Sequence, residues 1–422
     1  MHHLFSYLRR ISHETFSSLY IYNYRLYFIG QIISTSGTFM QSVAQAWLVL
    51  KLTKSGAALG LTTALQYLPI LFLGPFGGVI ADRFPKRKIL VLTQSASGLL
   101  AIILGLLVAT NLVRVWMVYV LALLLGLVTV FDSPTRQTFY FELVGKDLLR
   151  NAITLYSTMF NLARIIGPAI AAALMSSIGI ASCFILNGIS YAAVVIMLIM
   201  MNTRELYVTP PVPLAKGQLR QGLKYVLSTP ILASTLLVML IIGAFTFEFT
   251  TSLPLIAQYT YHGDASSFAF LTSALGIGAA AGGIIFAGRK GIKSSQMITA
   301  ASLFGVTTLA AALMPSLWLC GLAMVATGIA SINFSTLGNS ILQLESSPEM
   351  RGRVMSFWSV VWVGSTAFGA PVVGWFAQVG GGRWGLGFSG VAGVLAAILG
   401  MITLRNIASA RAVSASQGQK PV

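Results

Sequence analysis

The sequence predicts an all-α membrane protein, with twelve transmembrane helices in two pseudo-symmetric six-helix bundles. Three observations predict it. First, 56% of the residues are hydrophobic and 9% are charged, whereas a soluble domain carries roughly 25% charged residues. Most of such a chain does not face water. Second, apolar stretches of about 20 residues, each enough to cross a bilayer, recur from one end to the other. Third, the two halves repeat each other's motifs. A net charge of +17 in a soluble protein would suggest nucleic acid. In a membrane protein, loops rich in Lys and Arg on the inner side and attraction to anionic lipid account for it, so no nucleic-acid partner is expected. Cys183 and Cys320 each sit in an apolar stretch, and no Cys or His spacing fits a metal. Neither a disulfide framework nor a metal or other cofactor is expected. No Ser/His/Asp set and no paired intramembrane carboxylates argue for an enzyme. The chain reads as a monomer.

In order along the chain, the spans are expected at 27–50, 56–81, 89–110, 114–133, 152–176, 180–201, 231–255, 266–287, 295–314, 316–341, 354–378 and 385–404. Gly and Pro inside them are compatible with membrane helices. These spans define an N-terminal segment 1–26, a bundle 27–201, a connection 202–230, a second bundle 231–404 and a tail 405–422. The first residues, MHHLFSYLRRISHE, show no apolar core followed by a small-residue cleavage site, so no removable signal is expected. With both termini inside, the outer connections hold only Lys51, Lys54, Arg114 and Arg383. Every other Lys or Arg except Arg164 falls on the inside. That asymmetry predicts cytoplasmic termini, an even span count and a multi-pass protein of the cell (inner) membrane.

The connection 202–230 opens with Pro210, Pro211 and Pro213, which favour an extended chain. Lys216, Arg220 and Lys224 then recur every four residues, while Leu219, Leu223, Val226 and Leu227 mark another face. This predicts a short amphipathic helix lying on the inner leaflet. The tail ends SASQGQKPV and is expected to be disordered. The internal repeat is visible in two places. Gly77-Gly78-Val79-Ile80 before Asp82-Arg83 has a counterpart in Gly282-Gly283-Ile284-Ile285 before Arg289-Lys290. Gly167-Pro168 is echoed by Ala370-Pro371.

The tight basic turn after the second span carries Gly78, Asp82, Arg83, Lys86, Arg87 and Lys88. This spacing resembles the signature between the second and third helices of the major facilitator superfamily of transporters. Further runs narrow the resemblance: Asn23-Tyr24-Arg25-Leu26-Tyr27-Phe28, Asp132-Ser133-Pro134-Thr135-Arg136-Gln137, Asn161 to Pro168, and Arg351-Gly352-Arg353-Val354-Met355-Ser356. Together they resemble the drug:proton antiporters related to the enterobactin exporter and the macrolide-efflux proteins. Pro85 departs from the wider signature, which has Gly there. The resemblance implies secondary active export of a hydrophobic or amphipathic small molecule (drug, macrolide or siderophore-like) by alternating access with proton antiport. The partners implied are that molecule, protons and membrane lipid. A facilitator or importer of the same fold is the alternative, and a membrane-embedded sensor or enzyme is less favoured. In the related transporters the acid matching Asp82 helps hold the inside gate shut. Arg136 and Arg353 are cations able to stabilise it.

The first span bears a polar stripe: Gln31, Ser34 or Thr35, Thr38, Gln41 or Ser42, and Gln45. The tenth bears Asn333, Thr336, Ser340 and Gln343. In lipid such faces must look at protein or water, so they line a substrate cavity or hydrogen-bond to neighbouring helices. Trp47, Gln66, Tyr67, Phe245, Phe247, Trp358 and Trp362 offer weakly directional surface for a bulky amphiphile. Two charges fall within spans. At 1.5 Å per residue Arg164 lies roughly 18 Å and Glu248 roughly 26 Å from the inner ends. Buried charges mark functional sites, and both residues are candidates for coupling.

Overall fold

Apolar stretches become helices in lipid because every backbone N–H and C=O must then be satisfied within the segment. The computed structural model describes residues 15–207, 218–286, 292–347 and 349–416, excluding the side chains of Pro75, Asp82, Gln218, Leu219, Ile407, Ala408 and 410–416. Among the described residues there is no strand. The helices are α1 (Tyr22–Thr53), α2 (Gly56–Arg83), α3 (Lys86–Ala109), α4 (Val115–Ser177), α5 (Ile180–Met200), α6 (Gln218–Ser228), α7 (Pro230–Ile241), α8 (Phe249–Leu255), α9 (Ala265–Phe286), α10 (Ser294–Leu313), α11 (Leu317–Leu344), α12 (Arg351–Ser359), α13 (Thr366–Gly380) and α14 (Gly382–Ser416). This is the all-α membrane fold the composition predicts.

Ten stretches of the described residues are long and apolar enough to cross a membrane. Two differences separate this number from the twelve predicted spans. The fourth and fifth spans are two helices that meet at Gly145 (φ 69°, ψ −173°) with no loop between them, and the label α4 covers both. Only glycine adopts that conformation without strain, and the Tyr207 ring lies over it. The predicted connection stays helical because its own apolar residues, Phe139, Tyr140, Leu143 and Val144, join a buried cluster with Tyr24, Tyr27, Leu90, Val194 and Leu198. The other difference is α1, whose polar stripe keeps it out of the ten.

Other boundaries move too. Helix α1 starts at Tyr22, after a 3-10 turn over Ser17–Tyr20. Helix α14 runs to Ser416, into the tail expected to be disordered, because the residues after Leu404 are small helix formers with no proline before Pro421. The amphipathic helix forms as α6. The prolines and Lys216 before it, and Arg289-Lys290 of the second motif copy, lie outside the described residues.

The chain packs as two units, one of Met1–Gln45 with Phe72–Leu214 and the other of Ala46–Leu71 with Ala215–Val422. In the second unit, α2 packs on α13 through glycines. Gly60 backs onto the Ala370 carbonyl and Gly56 onto the Gly374 carbonyl, and the Gly56 amide donates to Gln378 Oε1 at 2.6 Å. Small residues let membrane helices approach this closely, and they place Ala46–Leu71 in this unit.

Candidate functional site

The second unit contains two interrupted helices that abut. Between α7 and α8 lie a π-helical turn, Ile242–Thr246, and two non-helical residues, Phe247 and Glu248 (φ −86°, ψ 45°). A further π-turn, Ile256–Thr260, follows α8, and another, Val360–Gly364, lies between α12 and α13. Such turns are rare and collect at functional sites. Glycine allows the first and the last of them to meet. A Cβ at Gly243 would stand 2.9 Å from Ser365 Oγ and 3.2 Å from the Trp362 carbonyl, and Gly369 backs directly onto the Ala244 carbonyl.

Glu248 sits in the first break and is 2% exposed. The Thr366 hydroxyl bonds its carboxyl group, and Tyr67 lies within electrostatic reach. Its Oε1 has no hydrogen-bond partner among the described residues, and neither have the buried hydroxyls of Thr246, Thr251 and Ser365. Intact helices elsewhere in this unit return such hydroxyls to the carbonyl one turn back: Thr62 to Ala58 at 2.8 Å, Thr308 to Phe304 at 2.7 Å and Thr327 to Ala323 at 2.8 Å. The breaks remove that option. Aromatic rings cover the site, with Phe247 and Trp362 centroids 5.0 Å apart, Phe334 and Trp362 6.1 Å, and Phe247 and Phe304 5.7 Å. An unbonded buried polar atom is unfavourable. A carboxyl group with one oxygen left open in apolar surroundings can take up and release a proton.

The first unit holds a polar network, in which Gln94 Oε1 and the hydroxyls of Tyr27 and Tyr140 are buried without a partner among the described residues. Asp132 Oδ1 accepts from Thr93 Oγ1 at 2.8 Å and Gln94 Nε2 at 2.7 Å. Its Oδ2 accepts from Arg136 Nε at 3.1 Å and also from Nη2, while Arg136 Nη1 donates to Gln31 Oε1 at 2.8 Å. Tyr27 and Tyr140 pack beside this network, their ring centroids 5.8 Å apart. In the basic turn, Lys86 Nζ donates to Glu142 Oε1 at 2.7 Å. Arg87 donates to the carbonyls of Leu198 at 2.5 Å and Ile199 at 2.9 Å. Arg83 and Lys88 are exposed, and the side chain of Asp82 lies outside what the structure describes.

The residues singled out from the sequence are distributed as follows. Thr38 shares a hydrogen bond with Tyr191 OH at 3.1 Å, and Gln41 Oε1 accepts from Asn187 Nδ2 at 2.7 Å. With the Gln31–Arg136 bond, these show interhelix hydrogen bonding along the first stripe. Gln45 and Asn333 are buried, Gln66 is half-buried, and each is engaged by neighbours. Thr336 is exposed. Trp362 joins the aromatic cover, and the Trp358 indole nitrogen is buried without a partner among the described residues. Arg164 is half-buried and engaged by neighbours. Arg353 Nη1 donates to Gln221 Oε1 at 2.9 Å and Met350 Sδ at 3.2 Å. In the motif, the close helix approach is made by Gly77, which backs onto the Val130 carbonyl, whereas a Cβ at Gly78 would meet nothing within 4 Å. Adjacent residues point about 100° apart on a helix.

Asp132 and Glu142 were missed. The signal for Asp132 was present, an acid four residues before Arg136, the spacing at which helix side chains pair. Ser365 gave no signal, because its lack of a partner among the described residues depends on a break that composition does not announce.

Comparison with known proteins decides the family. Residues 13–422 match the family of transmembrane secretion effectors, a major facilitator family. The chain belongs to the major facilitator superfamily. The multidrug efflux pump Tap of Mycolicibacterium fortuitum is 23% identical over 359 residues, covering 83% of this chain and 86% of that protein. The enterobactin exporter EntS of Shigella flexneri is 25% identical over 364 residues, covering 83% and 84%. Among solved structures, an inward-facing, unoccupied bacterial homologue of the human lysosomal transporter Spinster superposes with a TM-score of 0.74. It is 16% identical and covers 91% of this chain and 97% of that one, a likeness of fold alone. A major facilitator chain is a multi-pass membrane transporter: it moves its substrate and does not convert it.

Proposed function

We propose that this major facilitator protein exports a hydrophobic or amphipathic small molecule, of the drug, macrolide or siderophore-like class, by alternating access coupled to proton antiport. The observation that carries the reading is Glu248, a buried carboxyl group with one oxygen unbonded, set in a helix break that abuts a second break. Similarity to a multidrug efflux pump and to an enterobactin exporter supports the direction and the substrate class.

In this reading both termini are cytoplasmic in the inner membrane. The six-helix halves 27–201 and 231–404 exchange access, and the protein works as a monomer. Glu248 takes a proton when open to the outside and releases it inside. Thr366 bonds the carboxyl group, and the π-turns give both helices a place to bend. Gly78, Asp82, Arg83, Lys86, Arg87 and Lys88 form the gating turn. Tyr67, within electrostatic reach of the carboxyl group, and Trp362, packed against Phe247, offer substrate surface beside it, with Gln66 and Trp358 as further candidates.

Everted membrane vesicles test this directly. Acidifying the lumen should drive accumulation of at least one probe among ethidium, a macrolide and enterobactin, and an uncoupler should reverse it. Uptake of these probes into intact cells, with no accumulation in everted vesicles, would establish a facilitator or importer instead.

A further inference from the structure

Helix α6 presents one face to its unit and the opposite face to its surroundings. Gly222 and Val226 are buried; Gly222 lies against Phe357 and Arg353, where a Cβ would stand 3.0 and 3.1 Å from them. Two hydrogen bonds fasten the helix. Arg353 Nη1 donates to Gln221 Oε1 at 2.9 Å, and the Ser347 amide donates to Tyr225 OH at 3.0 Å. The free face consists of Arg220, Leu223, Lys224 and Leu227. These residues are spaced three and four apart and so form one contiguous strip. Leu223 is 47% exposed and Leu227 67%. Arg220 and Lys224 are exposed, and among the described residues neither has an ion-pair partner. The described part of α6 carries no acid; Glu345 and Glu349 are exposed in the loop whose Ser347 amide bonds Tyr225. Two residues after α6 ends, Pro230 opens a 31-residue stretch able to cross the membrane, so the strip lies where that stretch enters the bilayer.

We propose that this strip is a docking surface for anionic phospholipid, with Leu223 and Leu227 entering the acyl boundary and Arg220 and Lys224 taking the phosphate of the headgroup. Charge complementarity and continuity with a membrane span favour this occupant. An amphipathic helix with leucines beside cations lies in the interface, and each cation near an anionic surface strengthens binding about fivefold. Because α6 is bonded to Arg353 and Ser347, a docked lipid also holds the start of the broken helix that meets Glu248. Lipid composition thereby becomes an input to transport, whatever the substrate is.

The test places one fluorophore on Ser228→Cys in the full-length protein, Cys183 and Cys320 being buried. The protein is reconstituted in phosphatidylcholine vesicles containing either nitroxide-labelled phosphatidylglycerol or nitroxide-labelled phosphatidylcholine at equal mole fraction. Labelled phosphatidylglycerol should quench the fluorophore more strongly, and inorganic phosphate should leave that excess unchanged. The excess should fall by about tenfold or more in Arg220→Gln/Lys224→Gln. It should also fall in Leu223→Ser/Leu227→Ser, and persist in Arg114→Gln. Equal quenching by the two lipids overturns the proposal, as does a preference unchanged in the double arginine–lysine variant. Displacement by inorganic phosphate overturns it in favour of a soluble anion.

Discussion

Lys86 and Glu142 form an ion pair at 2.7 Å, with side-chain exposures of 8% and 7%. At that depth removing one partner costs more than removing both, because the remaining ion stays desolvated with less to offset it. Glu142→Gln should therefore lower stability by about 3 kcal/mol, read as thermal unfolding of the purified protein in detergent. Lys86→Met/Glu142→Leu should lie closer to the parent than Glu142→Gln does. A double variant less stable than the single one would show that the pair contributes net stabilisation.

Arg136 bridges Asp132 and Gln31, a task suited to a planar guanidinium with several donors. Arg136→Lys should fail to restore the bridge and should behave like Arg136→Gln in thermal unfolding. Asp132→Asn should destabilise by about 2 kcal/mol, less than Glu142→Gln, because the Arg136 side chain keeps 21% exposure. Parent-like stability in Arg136→Lys would show that charge alone suffices.

Glu248→Gln preserves the shape of the protonated carboxyl group and removes the exchangeable proton. Substrate binding and exchange down a gradient should remain, while uphill export driven by a proton gradient should fall to the level of passive equilibration. Proteoliposomes with and without an imposed pH gradient separate the two. Concentrative export that survives in Glu248→Gln, and still collapses with an uncoupler, would place proton transfer elsewhere.

The join between the two breaks tolerates no added volume at Gly369, which backs onto the Ala244 carbonyl. Gly369→Val should destabilise by about 2 kcal/mol or prevent folding. Gly283→Ala should be neutral, since a Cβ there would meet nothing within 4 Å. Yield and thermal midpoint of the purified variants decide it. Equal behaviour of the two would mean the breaks are loosely packed.

Orientation is checked by labelling. An impermeant maleimide should react with Lys54→Cys in intact cells and with Lys224→Cys only after permeabilisation. Both positions are exposed, so the pattern reports sidedness. The opposite pattern would invert the topology proposed from the distribution of Lys and Arg.

Most of the spans were legible because hydrophobic length is a property of composition, and lipid allows few answers to it. The helical run up to Gly145, between the fourth and fifth spans, was not. Lys146 and Arg150 suggested a loop, but Phe139, Tyr140, Leu143 and Val144 gave the connection its own buried face. At the candidate site, the carboxyl group of Glu248 was visible as a charge in an apolar stretch. Its surroundings were not, because a π-turn is set by how Gly243 and Gly369 meet a partner helix, which no local pattern encodes. The first polar stripe was legible as a face, yet its use was decided by Asn187, Tyr191 and Arg136, far along the chain.

That distance bears on how the protein is made. Gln41 finds its partner Asn187 across 146 residues, and Thr38 finds Tyr191 across 153. While the chain is being synthesised, helix α1 therefore enters the bilayer with the amides of Gln31 and Gln41 unanswered, the Thr38 hydroxyl being held by its own helix at the Ser34 carbonyl, 2.9 Å away. The two amides stay so until most of the N-terminal half has been threaded in. During that interval α1 is the segment most prone to slip back out, and the one that most needs an insertase to hold it.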